Sequence, residues 1–586
     1  MFISERIKIF LPAALLFVLC LLVYTPVLQH QFLGDDFFFL RFHEVSRIFR
    51  EPGLIFARTH HFEPLYNLTN GILFSLFKEA GPLYGINIFL FFINCYLLFV
   101  VIFLFTRQYF VALGTSLLFC MHPMSAEVMM HIAFNNILFS VIFMELSLIA
   151  LYKHIEQSKN HVFYGLSLAS FFVALLFQEV SWFFIFYAAA FLYYRTADVK
   201  KTLRLCLPFI LLTGVCVITW LWLAGSKTSM LERAHSFHLT FWVFVANFFI
   251  LIKWYISNLF LPTDIVFMFN MLPVKSFIWL WNMACVSFTA SFCWLIWRNP
   301  KPNTEGLGLA VFMSGLLFVI PGSICRPQMG FVVEPYWFYF SSIGFFLIVA
   351  SAIQRMQGFC NKYLFVTFIT AITIFLLAMT FRHIPVGRND ISYCLNWLNK
   401  SPNNTIALET LEGLFSFEKD MEIQEPLISQ MSFLADWHLK INANARAIRV
   451  IKLLVRSEKR APEKRILLCK LAVAYEKNGD VALADEIMRT LVREGTSQQD
   501  LFQLCYIFFD NGISGKTRTM LERCQAMDPQ YLEPYLLLGV MLANEARYAE
   551  SLAWLEKGLA LAPADARFSG MIRDIQRKLG RDVPVK

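Results

Sequence analysis

Residues 86–106 read INIFLFFINCYLLFVVIFLFT, a stretch that is almost entirely apolar and carries no charge. A helix rises 1.5 Å per residue, so about 20 such residues cross the roughly 30 Å hydrocarbon core of a bilayer. The rest of the chain has the same character, because 57% of its residues are hydrophobic and only 16% are charged. An ordinary soluble domain has about 25% charged residues. The sequence therefore predicts a protein with many membrane-spanning helices.

Ten further apolar runs accompany residues 86–106. They lie near 9–28, 109–121, 132–152, 162–177, 180–194, 205–224, 277–297, 307–321, 337–354 and 363–380. No small-residue cleavage site follows the first of them, so we expect it to remain as a helix. The stretch 241–260 is also apolar, but Asn247, Lys253 and Asn258 interrupt it, and we expect an interfacial or re-entrant helix there. The prediction is an all-α bundle of about eleven spans.

Basic residues in the short loops indicate the orientation of this bundle. Lys and Arg fall in alternate loops, at Arg6 and Lys8, Arg107, Lys153 and Lys159, 195–204, Arg298 and Lys301, and Arg355 and Lys362. The loop 122–131 contains neither. Because Lys and Arg are enriched in cytoplasmic loops, the N-terminus is predicted to be cytoplasmic and the C-terminus external. We assign the net charge of +9 to these loops, not to nucleic-acid binding.

After Phe381 the pattern changes to amphipathic helices with a repeat of 34 residues. Pro529 and Pro563 each close a predicted helix pair. The recurring positions are Leu471, Ala472, Tyr475, Ala484 and Met488, then Leu501, Leu504, Cys505, Phe508, Thr517, Leu521 and Cys524, then Tyr535, Leu538, Gly539, Leu542, Ser551, Leu555 and Gly558. This spacing is typical of tetratricopeptide repeats, whose concave surface usually binds protein or peptide. We therefore divide the chain into a membrane domain, 1–380, a connector, 381–404, and a helical-repeat solenoid, 405–586.

The loop 29–85 that follows the first run contains the strongest candidate for chemistry. It begins with Asp35 and Asp36 inside the apolar sequence FLGDDFFFL. Two adjacent carboxylates are costly to hold ionised beside hydrocarbon, and charges at such a depth usually serve a function. A pair of solvated loop residues is the alternative interpretation. The apolar neighbours favour the functional one.

Other ionisable residues are predicted on the same outer side of the membrane. Three of them lie in the same loop and suit an anionic lipid head group: Arg58, His60 and His61. Later segments contribute His122, Glu127, Glu179, Arg326 and Glu334. Each residue taken alone is also compatible with a hydrogen bond between helices. Because all of these residues are predicted to lie on the outer side of the membrane, we expect them to form one active site.

Signatures of soluble enzymes are absent from the sequence. There is no GxxxxGK[ST], GxGxxG, HExxH or GxSxG, which argues against a nucleotide-driven pump or a zinc protease. The cysteines lie mostly in apolar runs without a CxxC pair, and we interpret them as small apolar residues, among them Cys95, Cys120, Cys216, Cys285 and Cys293. We expect no metal and no cofactor.

The arrangement resembles the C-type membrane glycosyltransferases that use lipid-linked sugars, in the protein O-mannosyltransferase-like branch with C-terminal tetratricopeptide repeats. The matching residues are Asp35-Asp36, Glu63-Pro64-Leu65, Phe77, Tyr84-Gly85-Ile86-Asn87, Asn94, His122-Pro123, Glu127, Gln178-Glu179, Glu334, Tyr339, Ser341, Gly344, Arg388-Asn389, Trp397 and Pro402-Asn403. The likeness covers nearly the whole chain. The family often has Arg before Pro64, Lys before Glu179 and Gly-Arg-x-Asp where this chain reads Phe134-Asn135-Asn136.

The resemblance implies a mechanism. A polyprenyl-phosphate sugar enters from the outer leaflet, and Asp35 or Asp36 acts as general base on the hydroxyl of a protein or glycan acceptor, which attacks the anomeric carbon with inversion. Arg326 stabilises the leaving phosphate, with Arg58 and the two loop histidines as alternates. The sugar-phosphate is a co-substrate, and no metal is expected.

Two other functions are compatible with parts of the sequence. A non-catalytic membrane scaffold would use the repeats to recruit partners. A transporter or flippase would have repeated halves with broken helices, and no such internal repeat is visible among the apolar runs. For the glycosyltransferase we expect a bacterial inner membrane with a periplasmic repeat domain, or else an endoplasmic reticulum membrane with a lumenal one.

Overall fold

The fold is seen in a computed structural model, and it consists of two compact units, Met1–Ala407 and Leu408–Lys586. The structure describes residues 5–33, 36, 63–157, 160–224, 241–263, 265, 269–271, 303–323, 331–359, 361–400, 407, 410, 431–432, 435–436, 438–440, 442, 444–457, 461–493 and 497–579. The division between the units lies close to the end of the predicted connector.

The described part of the first unit is helical except for two short strands. Its helices, numbered along the described residues, are α1 Glu5–Tyr24, α2 Pro64–Leu76, α3 Ala80–Thr106, α4 Tyr109–Met121, α5 Pro123–Met129, α6 Asn135–Glu156, α7 His161–Phe177, α8 Phe184–Thr196, α9 Val199–Ala224, α10 Phe241–Phe260, α11 Thr304–Ser323, α12 Tyr339–Met356, α13 Lys362–His383 and α14 Asp390–Lys400. The strands are β1 Phe269–Met271 and β2 Phe331–Val333, paired antiparallel with Asn270 opposite Val332. Five 3₁₀ turns lie at Thr25–Gln29, Ile132–Phe134, Glu179–Phe183, Pro335–Phe338 and Ile384–Arg388.

Several of these helices are long and apolar enough to cross a membrane. Among the described residues six segments qualify: Phe10–Gln29, Ala80–Thr106, Ile132–Glu156, Val199–Trp222, Pro335–Met356 and Lys362–Arg388. The helices α4 and α5 qualify together but are bent by 61° at His122, where Pro123 begins the second helix. The chain is therefore a predominantly helical membrane protein with several apolar spans.

Each predicted apolar run within the described residues coincides with a helix, and the run 277–297 lies outside them. Some of these helices are too short to qualify alone, among them α7 and the apolar part of α11, so the total of eleven spans stays a prediction. The stretch 241–260 forms the helix α10.

One helix, α2, lies within the segment 29–85 that the sequence predicts to be a loop. The helix α2 begins at Pro64, whose missing amide hydrogen is harmless in a first turn. One face of it is buried through Tyr66, Asn67, Asn70 and Phe74. The mixture of apolar and amide side chains on this face hides the helix from a search for purely apolar runs.

The helices α11 and α12 pack against each other with no room for a side chain at Gly308, Gly315 or Gly344. A Cβ atom added to Gly344 would lie 2.3 Å from the carbonyl oxygen of Gly308 and from the amide nitrogen of Phe312. A Cβ atom on Gly315 would lie 2.5 Å from the Cβ of Ser341. Small residues let helix backbones approach closely, which is a common way of packing helices in membranes.

The second unit consists of consecutive packed helices. They are α15 Asn444–Ser457, α16 Ala461–Asn478, α17 Val481–Arg493, α18 Gln498–Asp510, α19 Ser514–Met527, α20 Glu533–Asn544, α21 Tyr548–Leu561 and α22 Ala566–Lys578. Between α20 and α21, the Ser551 hydroxyl donates to the carbonyl oxygen of Gly539 at 2.6 Å. A Cβ atom on Gly558 would lie 2.1 Å from the Phe568 ring. The predicted small residues thus lie where helices cross.

Candidate functional site

Four segments that are distant in sequence meet at one end of the membrane unit. The Gln31 amide, just after α1, donates to the carbonyl oxygen of Arg388, just after α13, at 2.9 Å. The Tyr84 hydroxyl, in the first turns of α3, bonds to the carbonyl oxygen of Met130, just after α5, at 2.9 Å. The same hydroxyl lies 3.1 Å from the carbonyl oxygen of Gln31. The segments that precede or follow these spans therefore form one connected layer.

Asp36 is anchored inside this layer. Its side chain is 0% exposed, and its Oδ1 accepts a hydrogen bond from the Ala133 amide at 2.7 Å. Its Oδ2 accepts from the Leu33 amide at 3.0 Å. Ala133 belongs to the 3₁₀ turn that leads into α6, where amide groups carry partial positive charge. Both oxygens of the carboxylate are thus held by backbone donors.

The segment that begins α2 reaches the same place. The Tyr66 hydroxyl donates to the carbonyl oxygen of Ala133 at 2.5 Å. Asp36 binds the backbone amide of the same residue, so both backbone polar groups of Ala133 are hydrogen-bonded to side chains. The Glu63 carboxylate, 3% exposed, accepts from the Asn136 side chain at 2.9 Å. The loop residues before α6 are therefore fixed by side chains from two other segments.

Buried amide side chains extend this network along the helices. The Asn135 amide donates to the Asn70 side-chain oxygen at 2.6 Å, which joins α6 to α2. The Asn87 amide donates to the carbonyl oxygen of His131 at 3.1 Å, which joins α3 to the turn after α5. Buried polar groups need such partners because an unmade hydrogen bond costs about 1–3 kcal/mol.

Two histidines near the layer are held neutral by burial. The Nε2 of His131 lies 2.6 Å from the hydroxyl of Tyr393 in α14. Burial lowers the pKa of His131 to about 3, and the charge that His30 gains when it is protonated at low pH lowers that pKa further. Burial also lowers the pKa of His30 to about 4, and the nearby Arg388 guanidinium contributes. Neither imidazole carries a charge at neutral pH.

Two carboxylates lie close to Tyr393. Burial raises the pKa of its hydroxyl, and the charges of Glu127 and Glu334 raise it further. The Oε1 of Glu127, which is 1% exposed, lies within hydrogen-bond distance of the Nε2 of His383 at 2.7 Å. The ring of Tyr336, two residues after Glu334, stacks on the ring of Phe134 at 4.1 Å between centroids. The structure thus brings Glu127, Glu334 and the turn before α6 together.

His122 and Glu179 are buried at their own helix breaks. His122 lies at the bend between α4 and α5, where its Nδ1 accepts from the Met124 amide at 3.2 Å and its Nε2 lies 3.2 Å from the carbonyl oxygen of Leu259. This is the geometry of a side chain that stabilises a turn. Glu179 follows α7, and its backbone amide donates a hydrogen bond to the side-chain oxygen of Gln178 at 3.2 Å.

The remaining predicted site residues lie outside the described residues: Asp35, Arg58, His60, His61 and Arg326. In the described part of the site, carboxylates and imidazoles do not converge in threes around one point, as a metal ion would require. Arg388 is the described cation beside this layer, and it is exposed next to His30.

Sequence reasoning missed His30, His131, His383 and Tyr393. The only signal of the three histidines is position, because each lies within a few residues of the end of an apolar run, and Tyr393 has no such signal. The predicted connector, which contains His383 and Tyr393, is therefore part of the site. What links these residues is tertiary contact, which no local motif encodes.

The fold and the site define a membrane protein with a buried, connected polar layer at one end of its helices. Neither a protein-family model nor a curated protein sequence matches this chain.

Proposed function

We propose that this chain is an integral-membrane glycosyltransferase that moves a sugar from a polyprenyl-phosphate donor to a hydroxyl group of a protein or glycan. The observation that carries the proposal is the fixed, fully buried carboxylate of Asp36, held by amides of Leu33 and Ala133 at the end of a spanning helix. A carboxylate buried among apolar segments is costly to keep and usually serves a function.

The two adjacent carboxylates have separate roles in this proposal. Both oxygens of Asp36 are already engaged by backbone amides, so its charge positions the turn before α6 and helps to stabilise positive charge on the sugar ring. Asp35 is the general base that takes the proton of the attacking hydroxyl. The bond from the anomeric carbon to phosphate oxygen breaks as the new glycosidic bond forms, with inversion.

A cation must stabilise the phosphate that leaves. We assign this role to Arg326, with Arg58, His60 and His61 as alternates. Arg388 joins them, because it is exposed beside His30 and the polar layer. A guanidinium can grip phosphate with two parallel hydrogen bonds, which lowers the need for a metal ion.

The orientation and the repeat domain belong to the same proposal. Loop charges favour the polar layer on the outer side of a bacterial inner membrane, or on the lumenal side of the endoplasmic reticulum. The helix pairs between Ala461 and Lys578, with Gly539 and Gly558 at their crossings, support tetratricopeptide-like repeats. We propose that they bind the protein or peptide acceptor.

The test is mass spectrometry of glycoproteins and surface glycans from a deletion strain that is complemented with variants. Wild type should restore a hexose modification, whereas Asp35→Asn and Asp36→Asn should each reduce it at least a hundredfold at equal membrane expression. Asp198→Asn is the matched control, because Asp198 is exposed before α9 in a loop predicted to be cytoplasmic.

Two results would oppose the proposal. Unchanged glycans in the deletion strain would remove the enzyme assignment. Full complementation by both Asp variants would instead favour the membrane scaffold that recruits partners through its repeats.

A further inference from the structure

Three cysteines from three helices converge inside the membrane unit. Cys20 lies in α1, Cys95 in α3 and Cys120 in α4, and each is 0% exposed. Their sulfur atoms all lie within 4.8 Å of one another. The sulfurs of Cys20 and Cys120 are 3.5 Å apart. This is the only such group of three ligating side chains among the residues that the structure describes.

The walls around the sulfurs are aromatic. The Tyr24 hydroxyl donates to the carbonyl oxygen of Cys120 at 2.8 Å, and its ring meets that of Phe91 edge-on at 5.2 Å. Phe91 in turn stacks on Phe119 at 5.9 Å. These contacts exclude water and fix the helices that supply the ligands.

A buried hydroxyl beside the cluster has no partner within the described part of the chain. Tyr339 is 2% exposed, its ring packs on Phe119 at 4.8 Å, and its hydroxyl makes no hydrogen bond there. An unmade hydrogen bond in an apolar interior is costly.

We propose that Cys20, Cys95 and Cys120 bind a soft monovalent metal ion of the Cu(I) class. Thiolates favour soft ions, and three sulfurs in a trigonal arrangement complete the coordination of Cu(I). Zn²⁺ in a closed protein site takes four ligands, and no imidazole or carboxylate joins these three sulfurs in the described residues. The three thiols release their protons when the ion binds.

The ion would tie α1, α3 and α4 together. The three cysteines are not among the residues of the polar layer of Asp36, so the inference stands independently of the proposed glycosyl transfer.

The test uses the full chain, purified in detergent without oxygen and loaded with Cu(I) under ascorbate. After desalting, the protein is challenged with the Cu(I) chelator bathocuproine disulfonate. Wild type should retain one equivalent of copper, and Cys95→Ala should release it at a chelator concentration at least a hundredfold lower. Cys216→Ala is the matched control, because Cys216 is a buried cysteine of α9 outside the cluster and its loss should change nothing.

X-ray absorption of the copper-loaded wild type gives a second readout that needs no variant. It should show a shell of three sulfurs and no nitrogen or oxygen ligand. Copper bound through nitrogen or oxygen would overturn the assignment, as would equal retention by Cys95→Ala. Retention of Zn²⁺ in preference to Cu(I) would overturn the choice of a monovalent ion.

Discussion

The Nε2 of His131 lies 2.6 Å from the hydroxyl oxygen of Tyr393, although the two residues are 262 positions apart. His131 follows α5 in the middle of the membrane unit, whereas Tyr393 belongs to α14 after the spans that end at Arg388. This pair therefore joins the segment that follows the last described span to the polar layer.

Removal of the Tyr393 hydroxyl should loosen this attachment. Tyr393→Phe keeps the ring and leaves the His131 nitrogen without this bond, which costs about 1–3 kcal/mol of unfolding free energy. The measurement is the thermal unfolding midpoint in detergent. Tyr363→Phe is the control, because Tyr363 is 81% exposed at the start of α13 and should leave the midpoint unchanged. Equal midpoints for the two variants would contradict the role of the pair.

Stability should fall as the pH is lowered from neutral. The unfolded histidine has a pKa of 6.5, and burial lowers that of His131 to about 3 and that of His30 to about 4. The unfolded chain therefore binds more protons below pH 6.5, so the stabilisation is complete above that pH and is lost on acidification toward the folded-state values. Each histidine contributes a slope of up to about 1.4 kcal/mol per pH unit.

Denaturation midpoints measured between neutral pH and pH 4 test this expectation. His30→Gln should make the curve shallower than that of wild type. His161→Gln should not, because His161 is exposed at the start of α7. If the His30→Gln variant had the same pH dependence of the denaturation midpoint as wild type, the ionisation of His30 would not be coupled to unfolding.

A methyl group at Gly344 should disturb the packing of α11 on α12. Its Cβ would lie 2.3 Å from backbone atoms of Gly308 and Phe312, which cannot rotate away. Overpacking of this kind costs about 1–3 kcal/mol, and backbone contact favours the upper part of that range. We expect Gly344→Ala to lower the unfolding midpoint and the yield of monodisperse protein. Gly165→Ala in α7 meets nothing within 4 Å and should behave as wild type.

The same comparison is possible in the second unit. Gly558→Ala places a Cβ atom 2.1 Å from the ring of Phe568, which is 0% exposed, and should cost about 1–3 kcal/mol. Gly570→Ala in α22 meets open space and should stabilise its helix by about 0.5–1 kcal/mol. Circular dichroism of the full chain during heating separates the two. If the unfolding midpoints of both variants shifted in the same direction, the close contact between Gly558 and Phe568 would be contradicted.

The sequence predicts most helices of the membrane unit because a helix that crosses lipid must be a continuous run of apolar residues, which is visible in the sequence alone. A run such as 86–106 must be apolar along its length, and the helix Ala80–Thr106 follows. The same rule fails for α2, whose buried face includes Asn67 and Asn70. Amides that are satisfied inside a protein look like loop residues in a hydropathy pattern.

The candidate site is only partly visible in the sequence. Asp36 is conspicuous because a charge lies among phenylalanines, and the structure buries it. Its partners are the backbone amides of Leu33 and Ala133, and backbone groups have no sequence signature. The convergence of Cys20 with Cys120 is equally hidden, since it depends on how α1 packs on α4. Asp35 and Arg326 stay predictions.

The close contact between α11 and α12 limits where a lipid could enter the helix bundle from the bilayer. Where Gly308 and Gly344 meet, the two backbones touch directly, so no acyl or isoprenoid tail can slide between them from the bilayer. If the chain uses a polyprenyl-phosphate donor, as proposed, that donor must enter at another helix boundary. Bulky photoreactive lipids should therefore label helices other than this pair.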